Sequence, residues 1–456
     1  NRMNRAFYPA DILLPKKGTD MSRWSVIACD QFTSEPEYWE ETEKIVGEAP
    51  STLRMILPEV YLDGPQEEEK LEQIRQSMEN YLEEDLFSVY EDSMIYVERT
   101  DSSGKVRAGI VGCIDLEQYD YHKGSDSLVR ATEATVEERI PARIRVRKNA
   151  PLELPHIMLL IDDKGQTVIE PCGQYRKEEN LFYDFDLMQG GGHLRGYLLD
   201  KKEQERILAA LDLLAEEQAG NIQPEDPKSD GRVSGSGESS AMVLAVGDGN
   251  HSLASAKEFY EQLKAAHPEE DYSTHPARYA LAEIVNLHSP ALEFEAIHRI
   301  VTETDVDALL EEMTEKLGLV FEKENVPKEN AGEDTAGENS GIHDLDKGCQ
   351  EMYIVRNGLC QKTIITRPVS KLTVGSLQAF LDIYQKEHPL SMDYIHGADT
   401  ILALSEEEGC VGFLLPDMAK EDLFPSVMAD GALPRKTFSM GHAEDKRYYT
   451  ECRKIR

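Results

Sequence analysis

The sequence predicts an α/β (α+β) protein built from mixed sheets with flanking helices. Short apolar runs bounded by turn residues read as strands, and long amphipathic stretches read as helices. The two types do not alternate strictly, which favours a mixed sheet over a regular doubly wound one. At 456 residues, 40% of them hydrophobic, the chain is long enough for two or three packed units.

The elements follow in chain order. Val26–Cys29 is a short apolar strand, with Asp30 at its end and Ser34 as the expected cap of the next helix. Residues 66–86 place Leu71, Ile74, Met78, Tyr81 and Leu82 on one face at helical spacing. Val106–Leu116 reads as a strand, and His156–Ile161 and Gln166–Glu170 as a hairpin turning at Asp162–Gly165. Phe182–Leu187 alternates like another strand, and Lys201–Gln218 is a helix ended by Gly220. Residues 221–240 and 323–347, rich in Pro, Gly, Ser and acid, read as flexible loops. This gives an N-terminal α/β region at 1–198, a central region at 199–322 and a C-terminal α/β region at 350–456.

Charge narrows the function. Acidic residues number 86 against 49 basic ones, a formal charge of −37. Such a field repels nucleic acid and anionic membranes, so the expected partner is a small molecule. A phosphorylated ligand then needs a locally positive site. The seven cysteines are dispersed with no Cys-x-x-Cys pair, no apolar run approaches a membrane span, and Asn1–Pro15 lacks a signal-peptide layout. These features lead us to expect a reducing, cytoplasmic setting. They leave the oligomeric state open.

The central motif is AMVLAVGDGNHSLASAKEFYEQLKAAH. A buried strand at Ala241–Val246 meets a turn at Gly247–Asp248–Gly249, with Ser252 as the expected N-cap of a helix at 253–266. A helix start exposes free N–H groups and the positive dipole end, and glycines let a ligand approach the backbone. Asp248 is placed to ligate a metal, and His251 to donate to a phosphate. The motif is neither a P-loop nor a G-x-G-x-x-G fingerprint.

Two basic islands stand out against the acidic background. Residues 130–148 carry six basic groups against three acidic ones, and residues 435–456 carry seven against three. Arginine forks suit phosphate, so Arg139, Arg143 and Lys436 are expected to converge on the glycine turn. Arg139 and Arg143 share a face only if Pro141 falls in the first turn of a helix. Two smaller features are Gly190–Gly192 beside His193, whose backbone amides could face a ligand, and His298–Arg299 in a strand-like run. Each has an ordinary alternative in a bend, an ion pair or core packing.

The segments IACDQFTSEPEYWEE, RATEATVEERIPAR, QGGGHLRG, VGDGNHSLASAK, AIHR and LPRKTFSMG occur in an order and spacing that resembles the bacterial family known as domain of unknown function 1015. Commoner members carry Asp-Gly-His-His-Arg at the central motif. That pentad resembles the phosphate-gripping motif of free serine kinases with a ParB/sulfiredoxin-like fold. Here Asp248, Gly249 and His251 match, Asn250 replaces the first histidine, and Ser252 replaces the arginine. The resemblance implies a ParB/sulfiredoxin-like element around the turn and a nucleotide or pyrophosphate as co-substrate. It also implies serine or phosphoserine as the small ligand.

Together these readings lead us to expect a phosphotransferase-like enzyme acting on a small hydroxylated metabolite, with a non-catalytic sensor of nucleotides or phosphorylated metabolites as the rival. Asp30 is the expected base and His251 the expected donor to the phosphoryl group. Phosphate contacts are expected from Gly247, Asp248, Gly249, Asn250 and Ser252. The cations and imidazoles of Arg139, Arg143, His193, His298, Arg299 and Lys436 would support them, and Asp248 would hold Mg²⁺.

Overall fold

The computed structural model describes residues 4–220, 241–326, 348–441 and 445–456. These fold as mixed α/β and divide into two units, Asn1–Leu292 with Gly441–Arg456, and Glu293–Met440. The division differs from the sequence boundaries at 198 and 322 for a physical reason. Tyr279–Asn286 is hydrogen-bonded into the middle of the first sheet, and the chain's end returns to the same unit.

The first unit is organised by a ten-stranded sheet. Its order is Leu181–Asp186, His193–Leu198, Ile95–Thr100, Val106–Asp115, Tyr279–Asn286, Met158–Ile161, Leu244–Asp248, Val129–Ala131 and Tyr119–Asp120. Phe7–Tyr8 pairs additionally with Val106–Asp115. Tyr279–Asn286 runs parallel to Met158–Ile161, and Leu244–Asp248 parallel to Val129–Ala131, whereas most other neighbours are antiparallel. One face packs Ile110, Leu159, Val246 and Ile284 against Ile207, Leu211, Leu253 and Tyr260, which belong to the helices Lys201–Gly220 and Asn250–Ala266. The other face packs Ile95, Val97, Val111 and Leu281 against Ile12 and Leu14.

The C-terminal residues thread back through this unit. Cys452 exchanges backbone hydrogen bonds with Leu13 at 2.8 and 2.9 Å, Tyr449 N–H donates to the Pro155 carbonyl, and Arg453 Nε donates to buried Glu153 at 2.6 Å. The second unit carries an all-antiparallel six-stranded sheet in the order Leu319–Val326, Leu359–Ile365, Gln350–Arg356, Val411–Leu414, His298–Thr302, Ser391–Ile395. The helices Val306–Leu317 and Thr373–Glu387 bury Leu309, Met313, Leu377 and Leu381 in its core.

Several local expectations are corrected. Gln166–Glu170 forms no strand: the Asp163 carboxylate accepts the N–H groups of Thr167 and Val168 at 2.7 and 2.9 Å, folding the segment into a side-chain-stabilised turn before a 3₁₀ helix at Glu170–Tyr175. Ser34 does not cap the helix Pro36–Val46, whose N-cap position is Glu35. Val26–Cys29 reduces to a single bridge, Ile27 with Arg447. The strand Leu319–Val326 runs four residues into the expected 323–347 loop, pairing Asn325 and Val326 with Gln361 and Cys360. The rest of that loop, and 221–240, lie outside the described residues. No helix among the described residues is long and apolar enough to cross a membrane.

Candidate functional site

The glycine turn sits where an interior strand of the sheet gives way to a helix. Leu244–Asp248 leaves the sheet, Gly249 turns at φ +76°, and the helix runs Asn250–Ala266. Only glycine adopts that φ without strain. It also lies close to the neighbouring strand's lead-in, since a Cβ here would meet the Ile157 Cα at 3.0 Å. The Asp248 carboxylate accepts the Gly249 N–H at 2.8 Å. Gly249, not Ser252, is the N-cap, and no side chain caps the helix. Ser252 lies inside the first turn, its hydroxyl 3.1 Å from Nε2 of His156.

Three further segments reach this turn. The Val129–Ala131 strand pairs with Leu244–Val246, and beyond it Thr135 Oγ1 accepts from the Asn250 amide at 3.1 Å. Val136 N–H donates to Nε2 of His251 at 3.3 Å. That nitrogen is therefore an acceptor, so any proton His251 gives to a ligand comes from Nδ1. The segment around Asp30 is tied to the C-terminal return: Ala28 N–H donates to the Lys446 carbonyl at 2.8 Å, and Tyr448 N–H to the Val26 carbonyl at 3.0 Å.

Electrostatics joins Asp30, Asp248 and Lys446. The Lys446 ammonium is held above its ordinary value, first by Asp248 against the opposing effect of burial, and further by Asp30 and Glu133. Burial pushes the His156 imidazole down, against the fields of Asp30 and Asp248. Burial would raise the Asp30 carboxyl, but His156, a hydrogen bond from Gln31, Arg143 and Lys446 outweigh it and hold the group below its ordinary value. A part-buried carboxylate, a part-buried lysine and a helix start with no side-chain cap form a charge-handling centre.

Behind Asp248 one sheet face carries more charge. Asp248 is level with Met158, Met158 with Glu283, and Glu283 with Val111. Glu283 is fully buried and accepts from Arg107 at 3.3 Å, with Gly109 leaving room for it: a Cβ there would lie 2.1 Å from Glu283 Oε1. Arg107 stands directly across from buried Arg99, whose guanidinium lies 5.2 Å from the Tyr449 ring centroid.

The expected residues divide into those brought together and those engaged elsewhere. Asp30, Gly247, Asp248, Gly249, Asn250, His251 and Ser252 belong to the centre just described. Arg143 acts on both Asp30 and His156 but is ion-paired with Glu59. Pro141 does fall in the first turn of Ile140–Lys148, yet Arg139 ends the preceding 3₁₀ turn and is exposed. Arg145 and Arg147 pair with Glu67 and Glu153. His193 is locked between Asp184 and Asp186, the latter at 2.6 Å, beside a Gly190–Gly192 hairpin turn.

His298, Arg299 and Lys436 lie in the second unit. The Arg299 side chain is fully buried and donates to the carbonyls of Ile297, Arg435 and Lys436 at 2.6 to 2.9 Å. His298 Nδ1 accepts the Leu415 N–H at 3.0 Å, and Lys436 is exposed. Sequence reasoning missed His156, Lys446, Glu59, Arg107 and Glu283. Lys446 was inside a basic island, and the Pro155–His156 start of a strand was the visible signal for the imidazole.

Asp248 has one carboxylate to offer a metal. Among the described residues, the one cluster of three potential ligands is the exposed His267, Glu269 and Glu270, which includes neither Asp248 nor Asp30. Mg²⁺ commonly takes one or two carboxylates and completes its shell with water and substrate phosphates, and Asp248 fits that mode.

The family model described as "Protein of unknown function (DUF1015)" matches residues 13–384. The chain belongs to this family. A search of curated proteins finds no match. Among solved structures, a free serine kinase in complex with AMP is similar at 12% identity over 73% of this chain and 88% of its own, with a TM-score of 0.35. A conserved hypothetical protein from Pyrococcus furiosus is similar at 11% identity over 73% and 90%, TM-score 0.33. SbnI from Staphylococcus aureus, with a C-terminal truncation, is similar at 7% identity over 73% and 82%, TM-score 0.34.

Proposed function

We propose that this DUF1015 chain is a phosphotransferase-like enzyme acting on a small hydroxylated metabolite, with a nucleotide or pyrophosphate as phosphate donor or acceptor. The observation that carries the reading is that Asp30 and Asp248, far apart in sequence, act on the same part-buried ammonium of Lys446. Serine, or phosphoserine in the reverse direction, is the substrate class implied by the motif's resemblance to free serine kinases.

The first-turn N–H groups after Gly249 bind phosphate oxygens at the positive end of the helix. Lys446 neutralises charge, the role expected of Lys436 and Arg139. Asp30, ionised at neutral pH, accepts the proton of the attacking hydroxyl as its oxygen bonds to phosphorus and the bond to the leaving group breaks. His251 donates from Nδ1 to a phosphoryl oxygen. Mg²⁺ held by Asp248 would supply further neutralisation of the phosphoryl charge.

The test begins with thermal shift against ATP, ADP, pyrophosphate, serine and phosphoserine, with and without Mg²⁺, followed by ³¹P NMR on the compounds that bind. A ligand at 100 times its Kd stabilises by about 2.7 kcal/mol. Asp30→Asn should lower turnover about 10²- to 10⁴-fold with donor binding retained. A melt that no phosphorylated compound moves removes the proposal, and turnover unaffected by Asp30→Asn removes Asp30 as base.

A further inference from the structure

A cavity of about 130 Å³ lies in the first unit beside this centre. Ser252 and His156 line one part of it, as do Cys29, next to Asp30, and the Arg143–Glu59 pair. Much of the remaining wall is apolar, with Met55, Leu57, Met78, Val146, Leu152 and Leu154, and the Arg147–Glu153 ion pair interrupts it. The two parts differ in depth. Met55, Met78 and Leu152 are 1–2% exposed, whereas the Arg143 and Glu59 side chains are 12% and 15% exposed. The cavity is thus mainly apolar, with the Arg143–Glu59 pair at its more exposed side. Toward the polar groups, Arg143 Nε and His156 Nδ1 are buried with no hydrogen-bond partner among the described residues.

We propose that this chamber takes the aliphatic arm of a small amphiphilic ligand whose polar head meets Ser252 and His156. The proposal rests on the phosphotransfer reading only for the identity of the centre that the head group faces. Interiors close-pack, so an apolar space of this size beside polar groups is a recognition feature rather than slack. A dry cavity of about 150 Å³ holds benzene, so about 130 Å³ accommodates an arm of roughly four or five carbons. The ligand class is then a hydroxy or amino compound with a short branched or straight aliphatic chain. Bare serine, with one side-chain carbon, would leave the chamber unfilled.

The probe is a series of primary alcohols from ethanol to hexanol, titrated into the full chain without phosphate and followed by NMR. Each methylene that enters should tighten binding about fourfold, the equivalent of ~0.8 kcal/mol, with the gain stopping near four or five carbons. Ala142 also lines the cavity. Ala142→Leu should weaken butanol binding at least tenfold and leave ethanol nearly unchanged, and Val146→Phe gives the same test where the first variant folds poorly. Affinity that ignores chain length, or a series unchanged by both filling variants, overturns the inference. Asp30→Asn should leave the alcohol series intact. A wild-type chain with an intact alcohol series and no phosphotransfer overturns the functional reading alone, and a flat series in a wild-type chain that does transfer phosphate overturns this inference alone.

Discussion

Glu451 gives the sharpest pH test of the charged sheet face behind Asp248. Its side chain is fully buried, and Oε2 has no hydrogen-bond partner. Burial pushes the carboxyl up to about 7; Glu283 adds to the rise, while the Tyr183 hydroxyl, which donates to Oε1 at 2.5 Å, and Arg99 oppose it. An unfolded glutamate titrates near its ordinary value of about 4.3. Between roughly pH 4.5 and 7 the folded chain therefore holds a proton that the unfolded chain has lost. Stability contributed by this group falls as pH rises, by at most about 1.4 kcal/mol per unit. Across that window the loss comes to about 3 kcal/mol, and it is complete above pH 7.

Glu451→Gln replaces the protonated acid with a neutral isostere. At pH 5 the variant should match wild type within about 1 kcal/mol, the worth of one hydrogen bond. At pH 8 it should be more stable by about 2–3 kcal/mol. Urea unfolding at pH 5, 6, 7 and 8 reads the difference from midpoints at constant m. The background of −37 charges titrates in both proteins and cancels. A difference between the two proteins that stays flat with pH refutes the burial argument.

Two stability predictions accompany it. Gly192→Ala should cost about 3 kcal/mol or more and lower the melting temperature, because φ is +92° and a Cβ would lie 1.9 Å from the Thr100 carbonyl oxygen; a wild-type melt would show that the hairpin can shift away. Glu153→Ala should cost about 3–5 kcal/mol by leaving buried Arg453 and largely buried Arg147 without their carboxylate; chemical denaturation checks it, and a loss below about 1 kcal/mol would mean that both arginines find new acceptors.

What the sequence made legible was local. The Gly247–Gly249 turn and the helix after it were visible because an apolar run, two glycines and a helical repeat lie within one short stretch. Helices 67–83 and 201–220 were visible for the same reason. The hairpin after Ile161 was misread because Asp163 folds its own neighbourhood through side-chain acceptance, which imitates a strand turn in composition. Ser252 was misread as a cap because Gly249 begins the helix three residues earlier and the hydroxyl goes to His156. That bond is set by packing 96 residues away, and no periodicity encodes it.

The basic islands show the same limit in electrostatic form. A −37 chain was expected to gather cations at a phosphate site, and composition pointed to arginines 139 and 143 and to Lys436. The fold uses most of its basic residues near the centre to neutralise its own carboxylates: Arg143 meets Glu59, Arg107 meets Glu283, and Lys446 answers Asp248 and Asp30 together. Asp248, Asp30 and Glu133 all act on the one Lys446 ammonium, so the centre is net negative before any ligand enters. Backbone N–H groups at a helix start supply roughly half a positive charge, too little to receive a multiply charged phosphate alone. On the phosphotransfer proposal, the phosphate would bring a cation with it, and Asp248 at the glycine turn would be the carboxylate to share that cation.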